Sequence, residues 1–167
     1  GENAVQHSAW CSAKGRMIAS FIVWRDGDCY LLALSRDLVE AVAKRLQMFV
    51  LRAKVSISIC SESAAMIGVS GPHLGDTLGK AALPLPEPVH NAPCEGGSVV
   101  RLDSARVIVC IASERAADTW RQLTAAARPV GTPAWNWLDI REGLPMVSAA
   151  TREHFVPQMA NFERIGG

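Results

Sequence analysis

The sequence carries no strong net charge, no long apolar run and no familiar catalytic motif. Lysine and arginine together number 17 against 16 acidic residues, so no overall field draws the protein to nucleic acid or to a membrane surface. No apolar run reaches the ~18 residues that a membrane-spanning helix needs, and no signal-peptide pattern is present. The motifs GxSxG, GxGxxG, HExxH and the P-loop are all absent. We therefore expect a cytoplasmic protein without a membrane or a direct nucleic-acid partner.

Cysteine and histidine are few and scattered. The five cysteines form no CxxC pair and no cluster with histidine at zinc spacing. An odd number at wide intervals is typical of reduced thiols that serve as small apolar residues. The sequence therefore predicts neither a disulfide framework nor a metal site. The cysteines are Cys11, Cys29, Cys60, Cys94 and Cys110.

What the chain does contain is enough apolar residues for a packed core. Hydrophobic residues make up 49% of the sequence and charged residues 20%, a balance typical of globular proteins. Residues 16–25 and 29–35 read as two strands around Gly27, because Asp-Gly between apolar runs is a strong hairpin signal. A third strand is predicted at residues 6–12. Together these three segments predict an antiparallel sheet.

A helical period follows the first sheet, and strand patterns then return. Residues 36–49 have apolar positions every three or four residues, with Ser35 as the predicted N-cap. Residues 54–60 and 64–71 read as strands, and a short helix follows to residue 80.

The last third repeats this kind of alternation. A hairpin is predicted over 98–113, then a helix over 114–127 with Trp120 and Leu123 facing inward. A further helix runs from Thr132 to Gly143. The strand-serine-helix pattern occurs twice, which either an internal duplication or a chance similarity explains. Strands in hairpins rather than in βαβ crossovers predict an α+β fold with antiparallel or mixed sheets and packed helices.

Domain boundaries are predicted from proline. Residues 83–93 hold four of the nine prolines, which is typical of a linker. The predicted organisation is a first α+β subdomain over 1–82, a linker over 83–96 and a second, similar α+β subdomain over 97–167.

Two polar stretches suggest more than packing. Lys14, Gly15 and Arg16 place two cations around a glycine, which suits an anionic ligand close to the backbone but equally suits a solvated turn. Trp135 and Trp137 lie two apart, so on a helix they point in different directions. The polar residues Asp139, Arg141 and Glu142 then either bind a heteroaromatic ring or form a solvated face.

Several segments of the chain resemble segments of one protein family, and they occur in the same order and with the same spacing. They are AKGRMIASFIVWR (13–25), KRLQMFVLRAKVSI (44–57), SGP (70–72), DIREGLP (139–145) and FVPQMANFERIGG (155–167). Together they resemble the YgfZ branch of the folate-binding proteins related to the glycine-cleavage T-protein, an aminomethyltransferase. The resemblance runs over nearly the whole chain.

The resemblance implies a body of two α+β subdomains that binds tetrahydrofolate or a folate derivative. It also implies a role in iron-sulfur cluster assembly or repair, and through such client enzymes in tRNA modification. In this family a segment like residues 155–167 runs into the signature Lys-Gly-Cys-Tyr-x-Gly-Gln-Glu and then into a C-terminal barrel. The resemblance thus presents this chain as the central folate-binding part of a longer protein.

One departure from the T-protein affects the expected chemistry. The T-protein has an aspartate beside the folate, whereas residues 14–20 here contain no carboxylate. Without it, no group is available there to take a proton or stabilise a cationic intermediate. We therefore expect no catalytic residue and no aminomethyl transfer. Folate-dependent one-carbon transfer and a docking module with a vestigial folate slot remain the alternatives.

The resemblance and the residue types together predict a folate site. A pterin needs an apolar slot, fixed polar groups for its edge and cations for the glutamate tail. Met17 and Trp24 are predicted as the walls of the slot, and Lys14, Gly15 and Arg16 as the anchor for the carboxylates. The predicted polar-edge residues are Arg141, Glu142, Gln158 and Asn161, with Pro157 fixing the turn that presents Gln158.

Overall fold

The computed structural model describes residues 3–166, which form two β-sheets, five α-helices and three one-turn 3-10 helices. The strands are β1 (Gln6–Cys11), β2 (Met17–Asp26), β3 (Cys29–Leu34), β4 (Ala64–Ser70), β5 (Asn91–Cys94), β6 (Gly97–Arg101) and β7 (Arg106–Ala112). The α-helices are α1 (Val39–Gln47), α2 (Leu74–Lys80), α3 (Ala116–Thr124), α4 (Thr132–Glu142) and α5 (Phe162–Ile165). The 3-10 helices cover Arg36–Leu38, Ser113–Arg115 and Pro157–Ala160. The predicted α+β class is confirmed.

The four-stranded sheet has the order β4-β7-β6-β5, and each neighbouring pair is antiparallel. Its two central strands, β6 and β7, are rich in β-branched residues, and Val99, Val107 and Val109 are completely buried. Leu78 of α2 and Leu123 of α3 join the same core. Valine suits these positions because a pleated surface buried between neighbours favours β-branched side chains.

The three-stranded sheet has the order β1-β2-β3. Gly27 turns β2 into β3 with a φ of 58°, a left-handed conformation that glycine adopts without steric cost. The Nε atom of Arg25 donates to the carbonyl oxygen of Gly27 at 2.8 Å. The predicted hairpin is confirmed, and so is the preceding strand.

The described residues divide into two compact units, each assembled from separated segments. Unit 1 comprises residues 3–6, 24–31 and 61–137, and unit 2 comprises residues 7–23, 32–60 and 138–166. The core of unit 2 is formed by Met17, Ala19, Leu38, Val42, Val147 and Phe162.

This grouping differs from the two consecutive subdomains that the sequence predicts, because each unit takes residues from both 1–82 and 97–167. The proline-rich segment 83–96 lies inside unit 1 and is not a linker between units. Its residues 91–94 form β5, paired with β6. Proline is tolerated there because β5 is an edge strand, where Pro93 leaves no ladder hydrogen bond missing on its outer side.

The repeated strand-serine-helix pattern has the same local structure in both places. A strand, a one-turn 3-10 helix and a nine-residue α-helix follow one another in β3–α1 and in β7–α3. Neither serine makes a side-chain cap. The Ser35 hydroxyl donates to the Asp37 carboxylate at 2.6 Å, and the Ser113 hydroxyl donates to the Glu62 carbonyl at 2.8 Å. Ser35 therefore occupies the predicted N-cap position, at the start of the 3-10 helix that leads into α1, but its hydroxyl bonds the Asp37 carboxylate instead of a backbone N–H.

Two further predictions need correction. Residues 54–60 form no strand, because a strand requires a neighbouring strand to satisfy its backbone groups and this segment has none within residues 3–166. Trp120 is 44% exposed on α3, whereas Leu123 is 3% exposed. The inward face of α3 is therefore set by Thr119 and Leu123, both buried.

The two tryptophans of α4 do face different ways, as their spacing predicts. Trp135 lies against Gly68 of β4, where a Cβ atom would overlap the indole ring. The Arg106 guanidinium sits 5.7 Å from the centre of the same ring, a cation-π distance. Trp137 is 57% exposed. Gly68 is thus needed for the close approach of Trp135.

The thiols of Cys11, Cys29 and Cys94 form no disulfide. Burial raises the pKa of the Cys11 thiol, and burial with the nearby Asp26 raises the pKa of Cys94 more than Arg115 lowers it. A raised pKa keeps both thiols protonated and unreactive at neutral pH. Of the helices between residues 3 and 166, none is long and apolar enough to cross a membrane.

Candidate functional site

A tight turn presents the predicted cationic residues of unit 2. The Ser12 N–H donates to the Arg16 carbonyl at 2.8 Å, and the Gly15 N–H donates to the Ser12 carbonyl at 2.9 Å. Gly15 has a φ of +73°, and a Cβ atom there would meet nothing within 4 Å. Lys14 is exposed at the tip of this turn. The turn therefore holds a glycine backbone open to solvent beside one exposed cation.

Arg16 has a different environment from Lys14. Its Nη1 atom donates to the carbonyl oxygens of His154 at 2.8 Å and Glu153 at 3.4 Å. The next residue, Met17, donates its N–H to the Phe155 carbonyl and accepts from the Glu153 N–H, both at 2.8 Å. The Arg16 guanidinium therefore holds the chain at residues 153–155 against the start of β2.

Met17 and Trp24 are buried and present no open wall. Met17 is 1% exposed and packs in the core of unit 2. Trp24 is 3% exposed in unit 1, where its Nε1 atom donates to the Ser98 hydroxyl at 3.0 Å. Both belong to β2, a central strand whose apolar side chains pack into cores. The sequence predicts these residues as slot walls, and the structure places their side chains in packing.

The end of α4 presents the first pair of predicted polar residues. Arg141 Nη2 and Glu142 Oε1 form an ion pair at 3.2 Å, and both side chains are exposed. Gly143 ends the helix with a φ of +69°, and the Leu144 N–H donates to the Asp139 carbonyl at 2.9 Å. This is the glycine-terminated helix end that the sequence predicts.

The second polar pair lies on the segment that follows. Gln158 is exposed in the one-turn helix that begins at Pro157. Asn161 ends this turn in the left-handed region, with a φ of 59°. Its Nδ2 atom donates to the Gly143 carbonyl at 3.4 Å, so Asn161 joins the end of α4 to the C-terminal segment. Asn161 and Glu142 are therefore brought to neighbouring positions along unit 2.

Ser20 is a residue of this region that the sequence does not single out. Its buried hydroxyl donates to the Pro145 carbonyl at 3.1 Å and accepts from the Val147 N–H at 2.8 Å. Both bonds hold the segment after α4 on strand β2. The available signal is a lone serine within the apolar run 17–23, because a buried hydroxyl needs partners.

Asp37 bonds the same segment at Ala149 and was also not predicted. Its Oδ1 atom accepts from the Ser35 hydroxyl at 2.6 Å, and its Oδ2 atom accepts from the Ala149 N–H at 2.9 Å. These bonds, with Ser35 contributing most, lower the pKa of Asp37 below its ordinary value. Hydrogen bonds to the charged form favour that form.

The lowered pKa of Asp37 gives a testable pH dependence. A carboxyl whose folded pKa is depressed contributes stability above its unfolded pKa, and this is lost as pH falls through the folded value. We expect the stability difference between the wild type and Asp37→Asn to be present at pH 7, to begin to fall near the ordinary Asp pKa of about 4, and to disappear as pH drops through the lower pKa of the folded state. Urea unfolding across pH 2–7 measures it. Ser35→Ala should move the Asp37 titration, followed by carboxyl NMR, back up, and a difference that stays constant down to pH 2 would contradict this account.

Apolar side chains and two unpartnered buried polar atoms, the Ser12 hydroxyl and Arg152 Nε, complete the described part of this region. Met146, Phe155 and Met159 are 61%, 40% and 66% exposed on the C-terminal segment of unit 2. The Ser12 hydroxyl is buried without a hydrogen-bond partner among the described residues. The turn at Lys14 thus retains an unsatisfied polar group, and the segment after α4 has exposed apolar surface.

Hydrogen bonds connect the neighbourhoods of several predicted residues within unit 2. Arg16 contacts the segment that leads to Gln158, and Asn161 contacts the residue that follows Glu142. Lys14 and Gly15 lie on the same hairpin turn as Arg16. Trp24 belongs to the other unit.

Curated relatives match almost the whole chain at low identity. A protein named tRNA-modifying protein YgfZ from Cronobacter sakazakii is 26% identical over 170 residues, covering 100% of this chain and 51% of the relative. The protein of the same name from Edwardsiella ictaluri is 28% identical over 172 residues, covering 98% of this chain and 51% of the relative. The one from Yersinia pseudotuberculosis is 27% identical over 170 residues, covering 99% and 51%. The chain spans about half the length of these relatives, and no protein-family model matches it.

A solved structure shares the fold. The crystal structure of glycine cleavage system aminomethyltransferase T from Bartonella henselae superposes with a TM-score of 0.67 and 13% sequence identity. The match covers 75% of this chain and 36% of that chain. At this identity the likeness establishes the fold alone.

Proposed function

Since this chain is a distant homologue of the YgfZ proteins and covers about half of their length, we propose that it binds tetrahydrofolate, or a derivative of it, through unit 2. The main observation in support of this proposal is the Lys14–Gly15 turn, in which an exposed cation lies beside an open glycine backbone. Arg16 and Ser20 bond the backbone at His154 and Val147, in the same unit as the polar and apolar side chains of residues 141–161.

The chemistry of these residues fits a reduced folate. Lys14 supplies the charge for a glutamate carboxylate, and the Gly15 backbone allows close approach. Glu142, Gln158 and Asn161 offer acceptors and donors for the aminopyrimidine edge. Met146, Phe155 and Met159 supply the apolar surface that a flat ring requires. Arg16 acts by positioning residues 153–155, and Met17 and Trp24 act by packing.

Binding rather than turnover is the role that this residue set supports. Tetrahydrofolate, when bound, carries one-carbon units. Residues 14–20 contain no carboxylate, so no group on that strand start can accept a proton from a folate-bound intermediate. We propose no catalytic residue. Aminomethyl transfer is the competing activity, and a docking module with a vestigial slot is the competing role without folate.

The cellular role that we propose is support of iron-sulfur cluster assembly or repair. The relatives are named as tRNA-modifying proteins, and iron-sulfur client proteins provide an indirect route from a folate-binding body to modified tRNA. The near-neutral net charge of +1 supports an indirect route, because tRNA itself attracts strongly basic surfaces. The partners are therefore a folate and iron-sulfur client proteins.

Calorimetric titration with tetrahydrofolate tests the proposal. We expect Lys14→Ala to weaken binding roughly tenfold or more, because it removes a charge-assisted contact. Lys80→Ala, at an exposed position in α2 of unit 1, is the matched control and should bind like the wild type.

Three results, two from this titration and one from a product assay, decide between the roles. Absence of heat at high micromolar tetrahydrofolate, in both this chain and the full-length protein, would favour the docking module. Release of formaldehyde or ammonia from an aminomethyl folate would favour the transferase. Equal affinity of Lys14→Ala and the wild type would remove Lys14 from the site.

A further inference from the structure

One stretch of unit 2 is basic in a protein that is nearly neutral. No acidic residue lies between Glu40 and Glu62, whereas the whole chain has a net charge of only +1. The lysines and arginines of this stretch are Lys44, Arg45, Arg52 and Lys54. None of them forms an ion pair with another residue of the described chain. Positive charge is therefore concentrated locally on this unit.

Three apolar side chains at the end of α1 are exposed within the same stretch. Met48, Phe49 and Leu51 are 64%, 66% and 87% exposed. The Phe49 N–H still donates to the Leu46 carbonyl at 2.9 Å, so the chain continues in a helical turn before it leaves the helix. The inward face of α1 is already occupied, because Val42 and Leu46 pack in the core of unit 2. The three exposed side chains therefore contribute little to the packing of this unit.

Trp10 of β1 contacts both a cation and one of these apolar side chains. The Arg45 guanidinium lies 5.3 Å from the centre of the Trp10 ring, a cation-π distance. The Phe49 ring meets the same ring edge-on, with the two centroids 6.1 Å apart. Lys44 and Met48 lie four positions apart at the end of α1, and residues with this spacing are neighbours on a helix. Cations and apolar side chains therefore share one surface.

The other two cations follow the apolar side chains directly along the chain. Arg52 and Lys54 are exposed in a run of bends that begins at Leu51. The apolar side chains thus have cations before and after them. An apolar centre with a charged rim is the usual anatomy of a protein–protein interface. We call residues 44–54 the basic patch.

We propose that the basic patch docks an acidic segment of a partner protein, one that carries apolar side chains among its carboxylates. Carboxylates complement the four cations in charge, and the apolar side chains of the partner cover Met48, Phe49 and Leu51. Methionine and phenylalanine are enriched at protein interfaces, and the flexible methionine side chain adapts to different partners. Such a surface suits several client proteins. Docking here does not depend on folate, so this proposal and the folate proposal can fail separately.

A protein segment fits the basic patch better than a lipid surface or RNA. A helix that lies in a membrane interface inserts its apolar face, whereas the apolar face of α1 packs in the core of unit 2. Proteins that bind single-stranded RNA stack bases on aromatic side chains. The most exposed apolar side chain of the patch is instead the aliphatic Leu51, which offers no ring for stacking.

Fluorescence anisotropy with a labelled acidic peptide tests the proposal. The probe is a synthetic peptide in which glutamate alternates with leucine and phenylalanine, and its binding should weaken as salt rises. Leu51→Ser and the charge reversal Arg52→Glu/Lys54→Glu should each weaken binding roughly tenfold. Lys80→Glu and Val130→Ser, at exposed positions of unit 1, are the matched controls and should bind like the wild type.

An exchange of charges separates docking from a structural effect of the substitutions. A second peptide has lysine in place of every glutamate and should not bind the wild type. The Arg52→Glu/Lys54→Glu variant should bind this basic peptide more tightly than the wild type does. A merely structural effect of the two substitutions would weaken the binding of both peptides alike.

Three results would overturn the proposal. The first is no binding of the acidic peptide at high micromolar concentrations. The second is binding that neither Leu51→Ser nor Arg52→Glu/Lys54→Glu changes. The third is binding to vesicles of phosphatidylserine and phosphatidylcholine, or to bulk tRNA, that depends on the patch and is tighter than the binding of the peptide. That result would assign the basic patch to a lipid surface or to RNA.

Discussion

Replacing Gly97 by alanine is expected to cost at least about 3 kcal/mol of folding free energy. Gly97 begins β6 and pairs with Ile111 of β7 and with Cys94 of β5. A Cβ atom at this position would overlap the backbone carbonyl oxygen of Cys110. Because that oxygen belongs to the neighbouring strand, relief requires the two central strands of the sheet to separate. Thermal unfolding should show a midpoint lower by about 10 °C.

Gly79→Ala is the matched control for this prediction. Gly79 lies within α2, and a Cβ atom there would meet nothing within 4 Å. Alanine at a helical position of this kind is expected to stabilise the protein by about 0.5–1 kcal/mol. Similar midpoints for Gly97→Ala and the wild type would show that β6 and β7 tolerate a wider spacing than the structure has.

Truncation of Phe162 to alanine is expected to cost about 3–5 kcal/mol. Phe162 is 4% exposed, and it packs in the core of unit 2 with Met17, Leu38 and Val147. It directly follows Asn161, so its loss should also free the segment that presents Gln158. Urea unfolding measures the stability, and hydrogen exchange should show faster exchange at residues 157–165.

Phe155→Ala is the matched control for Phe162→Ala, because it also removes an aromatic ring but at an exposed position. Phe155 is 40% exposed; its ring meets the His154 ring edge-on, and alanine keeps the backbone bond from Met17. A cost under about 1 kcal/mol is therefore expected. An equal cost for the two phenylalanines would mean that Phe162 does not anchor the C-terminal segment.

Local signals predicted most of the secondary structure correctly. The turn at Gly27, the alternation in β4 and the helix between Thr132 and Gly143 are all properties of short stretches, and the structure contains each of them. The strand expected at 54–60 failed for a non-local reason. Its composition is correct, but pairing depends on what lies beside it, which composition cannot specify.

Local sequence signals also could not predict how the chain divides into units, because that division depends on contacts between distant segments. Proline frequency in 83–96 predicts a linker, yet an edge strand accommodates proline equally well. The interleaved units depend on which distant segments pack together, and no short stretch carries that information.

The candidate site shows where residue type alone is insufficient. Lys14 and Arg16 have the same charge and lie two positions apart, so the sequence assigns them one role. The structure separates them, since Arg16 donates to two carbonyl groups and Lys14 is exposed. Conversely, Ser20 and Asp37 belong to no sequence motif. Their role in positioning the segment after α4 is seen only from their hydrogen bonds. Ser20 bonds Pro145 and Val147, and Asp37 bonds Ala149.

The interleaved course of the chain has a consequence for biosynthesis. Unit 2 draws on residues 7–23, 32–60 and 138–166, so its hydrophobic interior cannot close until the third of these stretches has left the ribosome. At about 5–20 residues per second, the roughly 80 residues of unit 1 that intervene delay closure by several seconds. During that interval Met17 and Leu38 lack their packing partners Val147 and Phe162, so this apolar surface of the nascent chain stays uncovered.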